Sequence, residues 1–153
     1  MLKEIKAGQT DGRGHNFAIV ASKYNARFVD AMVEAATKTL EQAKAASVKV
    51  IRVPGAFEIP VVAAVLAEGQ KLSGIICLGV ILRGETTHAQ HIGEAVSHAL
   101  GEIQVRFRVP VIHEVLLLEN EAQAEARCLS PKHNRGTEAA VTALEMAQVM
   151  RRL

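Results

Sequence analysis

The sequence has few aromatic residues, no tryptophan and only two cysteines. Phe and Tyr make up 3% of its 153 residues, so a core must be built mainly from Val, Ile, Leu and Ala. Cys77 and Cys128 lack a metal-type spacing and are too few for a disulfide framework, which favours a reducing cytoplasm and a packing role for both. Hydrophobic residues account for 49% of the chain, enough to fill one core of this size. We therefore expect a single domain over residues 1–153.

An excess of one charge sign and long apolar runs are also missing. The 18 Lys and Arg against 16 Asp and Glu leave a net charge of +2, too little for a broad field that would hold nucleic acid or an anionic membrane. No apolar run approaches the ~20 residues that cross a bilayer, and residues 1–14 lack the apolar centre of a signal peptide. We expect a soluble, cytoplasmic protein with no nucleic-acid or membrane partner, and any anion site must be local.

Hydrophobic periodicity predicts strands that alternate with helices. Short apolar runs predict four buried strands, at residues 17–21, 48–53, 74–82 and 110–118. Three- and four-residue apolar steps, with helix start and stop signals, predict helices over 26–45, from 60 to about 68, from 86 or 87 to about 106, over 121–127 and over 135–152. Strands that are apolar on both faces indicate a parallel sheet covered on both sides. Because such sheets bind ligands beyond the carboxyl ends of their strands, the four segments after the strands are the candidate site.

The segments after the first two strands carry an aromatic ring and a carboxylate. In SKYN, Tyr24 can stack on a planar ring; alternatively, Asn25 caps the following helix and Tyr24 packs over a core edge. PGAFEIP presents Ala56, Phe57 and Glu58 in a tight turn. The Glu58 carboxylate can accept hydrogen bonds from a polyol or an amide-bearing ring, or it can cap the next helix. The segment alone leaves both roles open.

The segment LRGETTHAQH follows the third strand and opens a helix. Gly84 permits a close backbone approach, and the amides of Glu85, Thr86 and Thr87 are expected to point at an anion near the helix N-terminus. His88 lies in the first turn beside that position, where an imidazole can give or take protons at neutral pH. The pattern therefore predicts a phosphate cup with an adjacent acid–base residue.

Metal binding is a competing interpretation of the same helix. His88 and His91 are three residues apart and can share a face, with Glu94 or His98 nearby. No third ligand stands at a committed spacing, and a solvated polar face accounts for His91 and His98 better. We therefore predict acid–base chemistry at His88 and no metal site.

Cationic residues follow the fourth strand. Arg127, Lys132 and Arg135 surround a short connection. Arg127 is the candidate phosphate ligand, because a guanidinium offers paired donors at fixed geometry. The alternative is an exposed charge that contacts only water.

Taken together, these motifs resemble those of the 6,7-dimethyl-8-ribityllumazine synthase family. The resemblance runs from about Phe17 to Met150 and is carried by SKYN, PGAFEIP, LGVILRGETTHAQHI, PVIHEV, Arg127 and NRGTEAAVTALEMA. It implies a flavodoxin-like, three-layer αβα sandwich around a four-stranded parallel sheet. It also implies a transferase of riboflavin biosynthesis, which joins 5-amino-6-(D-ribitylamino)uracil to 3,4-dihydroxy-2-butanone 4-phosphate and releases phosphate and water.

The resemblance assigns a role to each matching position. His88 would carry protons during imine formation and phosphate loss. The phosphate-binding residues implied are Gly84, Glu85, Thr86 and Arg127. The substrate-binding residues implied are Tyr24 stacked on the pyrimidine, Ala56, Phe57 and Glu58 along the ribityl chain, Val80, Ile81 and Leu82 reading the ring edge through their backbone, and His113 covering the pyrimidine from a neighbouring subunit.

Several positions depart from the usual pattern of the family. His113 stands where many members have Phe, and an imidazole can stack but can also hydrogen-bond and carry charge. Glu85 and Glu114 replace small residues, and a carboxylate at Glu85 would repel phosphate unless it turns away. Pro131 and Arg135 stand where Lys is common.

The resemblance also bears on cofactors and partners. No cofactor is expected, because the uracil substrate supplies the amine that forms the imine. Members of the family form homopentamers with each active site between two subunits, and some assemble twelve pentamers into an icosahedral shell. Riboflavin synthase is a candidate partner, and the polar N-terminal segment is a candidate strand for a neighbour's sheet edge.

Two other functions stay open. A Schiff-base aldolase or another sugar-phosphate enzyme would use Lys23 as its nucleophile, although an exposed lysine keeps its proton and is a poor one. A non-catalytic, shell-forming scaffold of the same fold would carry His113 and Glu114 as marks of a lost site.

Overall fold

A computed structural model gives the structure of the protein and describes residues 10–153. Its four strands form one all-parallel sheet in the order β2-β1-β3-β4. The strands are β1 (Asn16–Ser22), β2 (Ser47–Val53), β3 (Gly74–Leu82) and β4 (Val111–Leu118). The helices of this part of the chain are α1 (Ala26–Gln42), α2 (Ile59–Gly69), α3 (His88–Phe107), α4 (Glu121–Cys128) and α5 (Arg135–Arg151).

The helices cover both faces of the sheet. Helices α1, α4 and α5 pack on one face, around Phe17, Ile19, Ile76 and Leu78. Helices α2 and α3 pack on the other face, over Ala18, Val20, Ile75 and Cys77 from alternate strand positions. This three-layer arrangement, with its β2-β1-β3-β4 order, confirms the predicted flavodoxin-like sandwich.

The predicted strands and helices are confirmed, with small differences at their ends. Helix α1 ends at Gln42 rather than residue 45, because Lys44 adopts a left-handed conformation with φ 62°. A single 3-10 turn, Ala56–Glu58, precedes α2. Helix α3 begins at His88, one or two residues later than predicted.

Helix α5 begins directly against the backbone of α1. A Cβ atom on Gly136 would overlap the carbonyl oxygen of Met32 and lie 2.7 Å from its carbonyl carbon. Asn134 caps the helix, since its Oδ1 accepts a hydrogen bond from the Gly136 N–H at 2.7 Å. Only glycine at position 136 allows α1 and α5 to approach this closely.

Strand β3 extends beyond its neighbour β1 at the carboxyl end of the sheet. The β1–β3 ladder stops at the pair Ala21–Leu78, whereas the β3–β4 ladder continues to the pair Leu82–Leu118. One edge of β3 is therefore open after Leu78. This open edge, residues 79–82, lies where parallel sheets bind their ligands.

Two further sequence predictions concern membrane-spanning segments and the N-terminal segment. No helix within residues 10–153 is long and apolar enough to span a bilayer. The candidate strand in the N-terminal segment falls mostly on residues 1–9, which lie outside the described residues.

Candidate functional site

One cleft of about 660 Å³ lies at the carboxyl end of the sheet. It is enclosed by the loops after β1 and β2, the end of β3 and the first two turns of α3. This volume is within the range of sites that hold small molecules. Its lining residues are Tyr24, Asn25, Gly55, Ala56, Phe57, Glu58, Val80, Ile81, Leu82, His88, His91, Ile92 and Ala95. The cleft thus brings together predicted residues from the segments after the first three strands, whereas the predicted phosphate-binding residues Gly84, Glu85 and Thr86 are not among its lining residues.

Asn25 joins the corner between β1 and α1 to the open edge of β3. It adopts a left-handed conformation with φ 58°, and its Nδ2 donates a hydrogen bond to the carbonyl oxygen of Val80 at 2.7 Å. Asn25 is the N-cap residue of α1, as the alternative has it, and its backbone carbonyl accepts hydrogen bonds from the N–H groups of Phe28 and Val29; its side chain, however, makes no capping bond to the helix. The physical reason is that the Val80 carbonyl lies beyond the last β1 partner, so the side-chain amide takes the place of a strand.

Tyr24 lies against the turn that follows β2. Its backbone N–H donates to the carbonyl oxygen of Pro54 at 3.0 Å, and a Cβ atom on Gly55 would lie 2.8 Å from the Tyr24 ring. The ring therefore needs glycine at position 55 to adopt this position. Tyr24 is 65% exposed, so it is a free aromatic surface at the cleft rather than a packed core residue.

The Glu58 side chain stabilises this turn through a hydrogen bond to the backbone of the turn itself. Its Oε2 accepts a hydrogen bond from the backbone N–H of Gly55 at 2.8 Å. The carboxylate thus caps its own 3-10 turn, and it makes no side-chain hydrogen bond that would cap α2. Since an ionised carboxylate has about four acceptor positions, this bond leaves capacity for a ligand.

Helix α3 brings two imidazoles to the cleft. His88 is the first helical residue, and its backbone N–H donates to Thr86 Oγ1 at 3.4 Å. His91 Nε2 lies 3.3 Å from Thr87 Oγ1. The sequence interpretation assigned His91 to a solvated face and missed its place at the cleft.

A signal for three cleft residues that the sequence interpretation missed was present in their spacing. His91, Ile92 and Ala95 follow His88 by three, four and seven positions, which places them on one helix face.

The described residues contain no group of three or more His, Cys, Asp or Glu side chains that could hold a metal ion.

The predicted phosphate loop connects β3 to α3. Gly84, Glu85 and Thr86 are exposed and are separated from His88 only by Thr87. The loop is tied to the end of β4 through Arg83, whose Nη1 lies 3.1 Å from Glu119 Oε1. The backbone amides ahead of α3 can favour an anion there, since they stand at the positive end of the helix dipole.

Two predicted site residues lie away from the cleft of their own chain. His113 is on the face of β4 that carries Val111 and Val115 and packs on α3, and its Nε2 lies 2.6 Å from Ser97 Oγ. Arg127 is in α4, on the opposite face of the sheet. A single chain therefore does not bring His88, His113 and Arg127 together. Lys23 is exposed and is not among the residues that line the cleft.

Arg127 belongs to a cluster of charges around Glu114. Burial raises the pKa of the Glu114 carboxyl to about 7; the Arg135 guanidinium opposes this rise, Glu138 adds to it, and Arg127 opposes it more weakly. Arg135 also forms an ion pair with Glu138, with 2.7 Å between Nη1 and Oε2. The cluster holds two cations beside a carboxyl group that gives up its proton only near neutral pH.

Comparison with known proteins agrees with this geometry. A sequence profile of the 6,7-dimethyl-8-ribityllumazine synthase family matches residues 14–151. Relatives bearing the same name include one from Stenotrophomonas maltophilia (strain R551-3), 41% identical over 90% of both chains, and one from Xylella fastidiosa (strain 9a5c), 39% identical over 92% of both. A third, from Xanthomonas campestris pv. campestris (strain B100), is 39% identical over 88% of both chains. The chain therefore belongs to the 6,7-dimethyl-8-ribityllumazine synthase family of enzymes.

Proposed function

We propose that this protein condenses 5-amino-6-(D-ribitylamino)uracil with 3,4-dihydroxy-2-butanone 4-phosphate to give 6,7-dimethyl-8-ribityllumazine. One observation carries the proposal: a single cleft combines an open strand edge, an exposed aromatic ring, a carboxylate and an imidazole. Each of these groups suits one part of the two substrates. Family membership supports the same reaction.

The pyrimidine would lie against the open edge of β3. Its ring edge alternates hydrogen-bond donors and acceptors, and the backbone of Val80, Ile81 and Leu82 offers both kinds of group. Tyr24 would cover one face of the ring, because its own ring is exposed at the cleft. The ribityl hydroxyls would reach Ala56, Phe57 and Glu58, where the Glu58 carboxylate can accept hydrogen bonds from them.

His88 would move protons in two steps. The 5-amino nitrogen attacks the ketone carbon, a C–N bond forms, and protonation of the carbinol oxygen lets water leave to give an imine. The carbon next to the imine then loses a proton, and the C–O bond to phosphate breaks on the following carbon. The enol that remains becomes a ketone, the ribitylamino nitrogen attacks this ketone, and loss of a second water closes the ring. No electron acceptor is required, and an imidazole can serve both transfers at neutral pH. Holding two reactants in register can lower a barrier by about 7 kcal/mol.

The phosphate would be held by Gly84, Glu85 and Thr86 of one subunit and by Arg127 of an adjacent one. The position of these residues supports a shared site, since Arg127 and His113 lie away from the cleft of their own chain. We propose a homopentamer, or a multiple of pentamers up to an icosahedral shell. Exposed apolar side chains at four-residue intervals, Phe57, Val61 and Val65, are 61%, 64% and 66% exposed and provide a surface that an adjacent subunit can cover.

The wider assignment follows from the same family. We propose one catalytic domain over residues 1–153, which the family match over residues 14–151 supports. A cytoplasmic location is supported by two free, buried cysteines, Cys77 and Cys128. Riboflavin synthase, as a candidate partner, is supported by the resemblance alone.

The test is to mix the two substrates with the protein in the presence of a chelator and without nucleotide, and to record the fluorescent lumazine product. His88→Ala should lower kcat about 100-fold and leave both KM values nearly unchanged, because proton transfer is its role. Arg127→Ala should mainly raise KM for the phosphate substrate. His98→Ala, which removes an exposed imidazole from α3 outside the cleft, is the matched control.

Each alternative has its own outcome in this experiment. A stable large particle that forms no product would identify a scaffold instead of an enzyme. A sugar phosphate trapped on Lys23 by borohydride would identify a Schiff-base aldolase. Equal weakening of both substrates by Arg127→Ala would contradict the phosphate role of this residue.

A further inference from the structure

Both ring nitrogens of His113 are engaged within its own chain. The backbone N–H of Val115 points to His113 Nδ1 at 3.1 Å, and Ser97 Oγ lies 2.6 Å from His113 Nε2. The first contact joins two residues of β4, and the second joins β4 to α3. The imidazole is therefore held at two points by separate elements of the fold.

These contacts determine where the proton of the ring lies. A backbone N–H can only donate, so Nδ1 must be the unprotonated acceptor. A neutral imidazole then carries its proton on Nε2, which donates to the Ser97 hydroxyl oxygen. A second proton on Nδ1 would oppose the Val115 N–H and break that bond. The geometry thus favours the neutral ring, and burial lowers the pKa of His113 in the same direction.

We propose that Ser97 is a positioning residue, which holds His113 as a neutral ring with Nε2 protonated, so that His113 meets the pyrimidine through its ring face. The proposal rests on the proposed function, in which His113 covers the pyrimidine bound to an adjacent subunit. With both nitrogens occupied, the ring has no free polar atom in its plane to offer a ligand. His113 then stacks on the pyrimidine as a phenyl ring would, and Ser97 fixes the rotation of the imidazole about the Cβ–Cγ bond.

A double-mutant cycle tests this coupling through the binding of the pyrimidine substrate. Ser97→Ala should raise KM for that substrate about fivefold and leave kcat unchanged, because one hydrogen bond that orients the ring is lost. Ser97→Thr keeps the hydroxyl and should restore KM. On a His113→Phe background, which has no nitrogen to hold, Ser97→Ala should change KM by less than about twofold.

Nitrogen-15 NMR of the histidine rings adds a measurement that does not depend on activity. Wild-type His113 should show the tautomer with Nε2 protonated and should stay neutral below the pH at which a free imidazole titrates. A ring protonated on Nδ1, or an equal effect of Ser97→Ala with and without His113, would overturn the proposal. A wild-type protein that makes no lumazine overturns the proposed function and this role with it, whereas an active protein without coupling overturns this role alone.

Discussion

Glu114 makes the stability of this protein depend on pH. Burial raises the pKa of its carboxyl from the ordinary 4.5 to about 7. Between these values the folded state keeps a proton that the unfolded state releases. The stability that this group contributes is therefore fully present below about pH 4.5 and is lost as the pH rises toward 7.

The size of the effect follows from the same shift. Each pKa unit corresponds to about 1.4 kcal/mol, so a rise from 4.5 to about 7 amounts to about 3 kcal/mol of lost stability above neutral pH. Roughly 2 kcal/mol of this loss falls between pH 5 and pH 8. Glu114→Gln keeps the shape of the side chain and cannot ionise, so it should be more stable than the wild type by about 3 kcal/mol at pH 8 and by only about 1 kcal/mol at pH 5.

Urea unfolding at the two pH values, at one fixed protomer concentration, measures this difference. Glu34→Gln, which changes an exposed carboxylate on α1, is the control and should shift stability by less than about 0.5 kcal/mol at either pH. Parallel pH dependence in the wild type and in Glu114→Gln would refute the argument. It would mean that Arg135 and Arg127 keep the Glu114 carboxyl ionised in the folded protein.

Two further predictions concern the backbone. Gly136→Ala should destabilise the fold by about 3 kcal/mol, because the new methyl group overlaps the backbone of Met32. Gly101→Ala is the control, since its Cβ has open space, and it should stabilise α3 by about 0.5 kcal/mol. Urea unfolding midpoints measure both variants, and equal midpoints would contradict the close approach of α1 and α5. Asn25→Ala should lower the free energy of unfolding by about 2 kcal/mol, since it loses the hydrogen bond to Val80 and strains a left-handed residue. Asn25→Gly should lower it by about 1 kcal/mol less, because glycine accepts the left-handed conformation. Thermal unfolding measures both variants, and an equal loss of stability would show that the backbone conformation contributes nothing.

The sequence alone was sufficient for the layers of the fold. The run from Gly74 to Leu82 has the length and composition of a buried strand, and the structure gives β3 these same ends. The ends of helices were not predictable where the backbone conformation of a single residue determines them. Helix α1 stops early because Lys44 turns left-handed, and no periodicity of side chains reports such a backbone change.

The candidate site was predictable where it consists of short loops. Tyr24 and Glu58 lie in turns next to strand ends, so the rule for parallel sheets was enough to bring them together. His91 was missed because its role depends on which face of α3 turns toward the 3-10 turn of residues 56–58. That orientation is set by helix packing, which the polar character of a single histidine does not reveal.

What the sequence by itself determined is the order of strands and helices, the turns between them and the residue types at each strand end, because these depend on neighbours within a few positions along the chain. The tertiary structure alone decided the contacts between distant segments. Asn25 contacts Val80 because β3 extends beyond the end of β1, and Ser97 contacts His113 because α3 packs on β4. Hydrogen bonds act over about 3 Å, and only the packed fold sets distances that short between residues far apart in the chain.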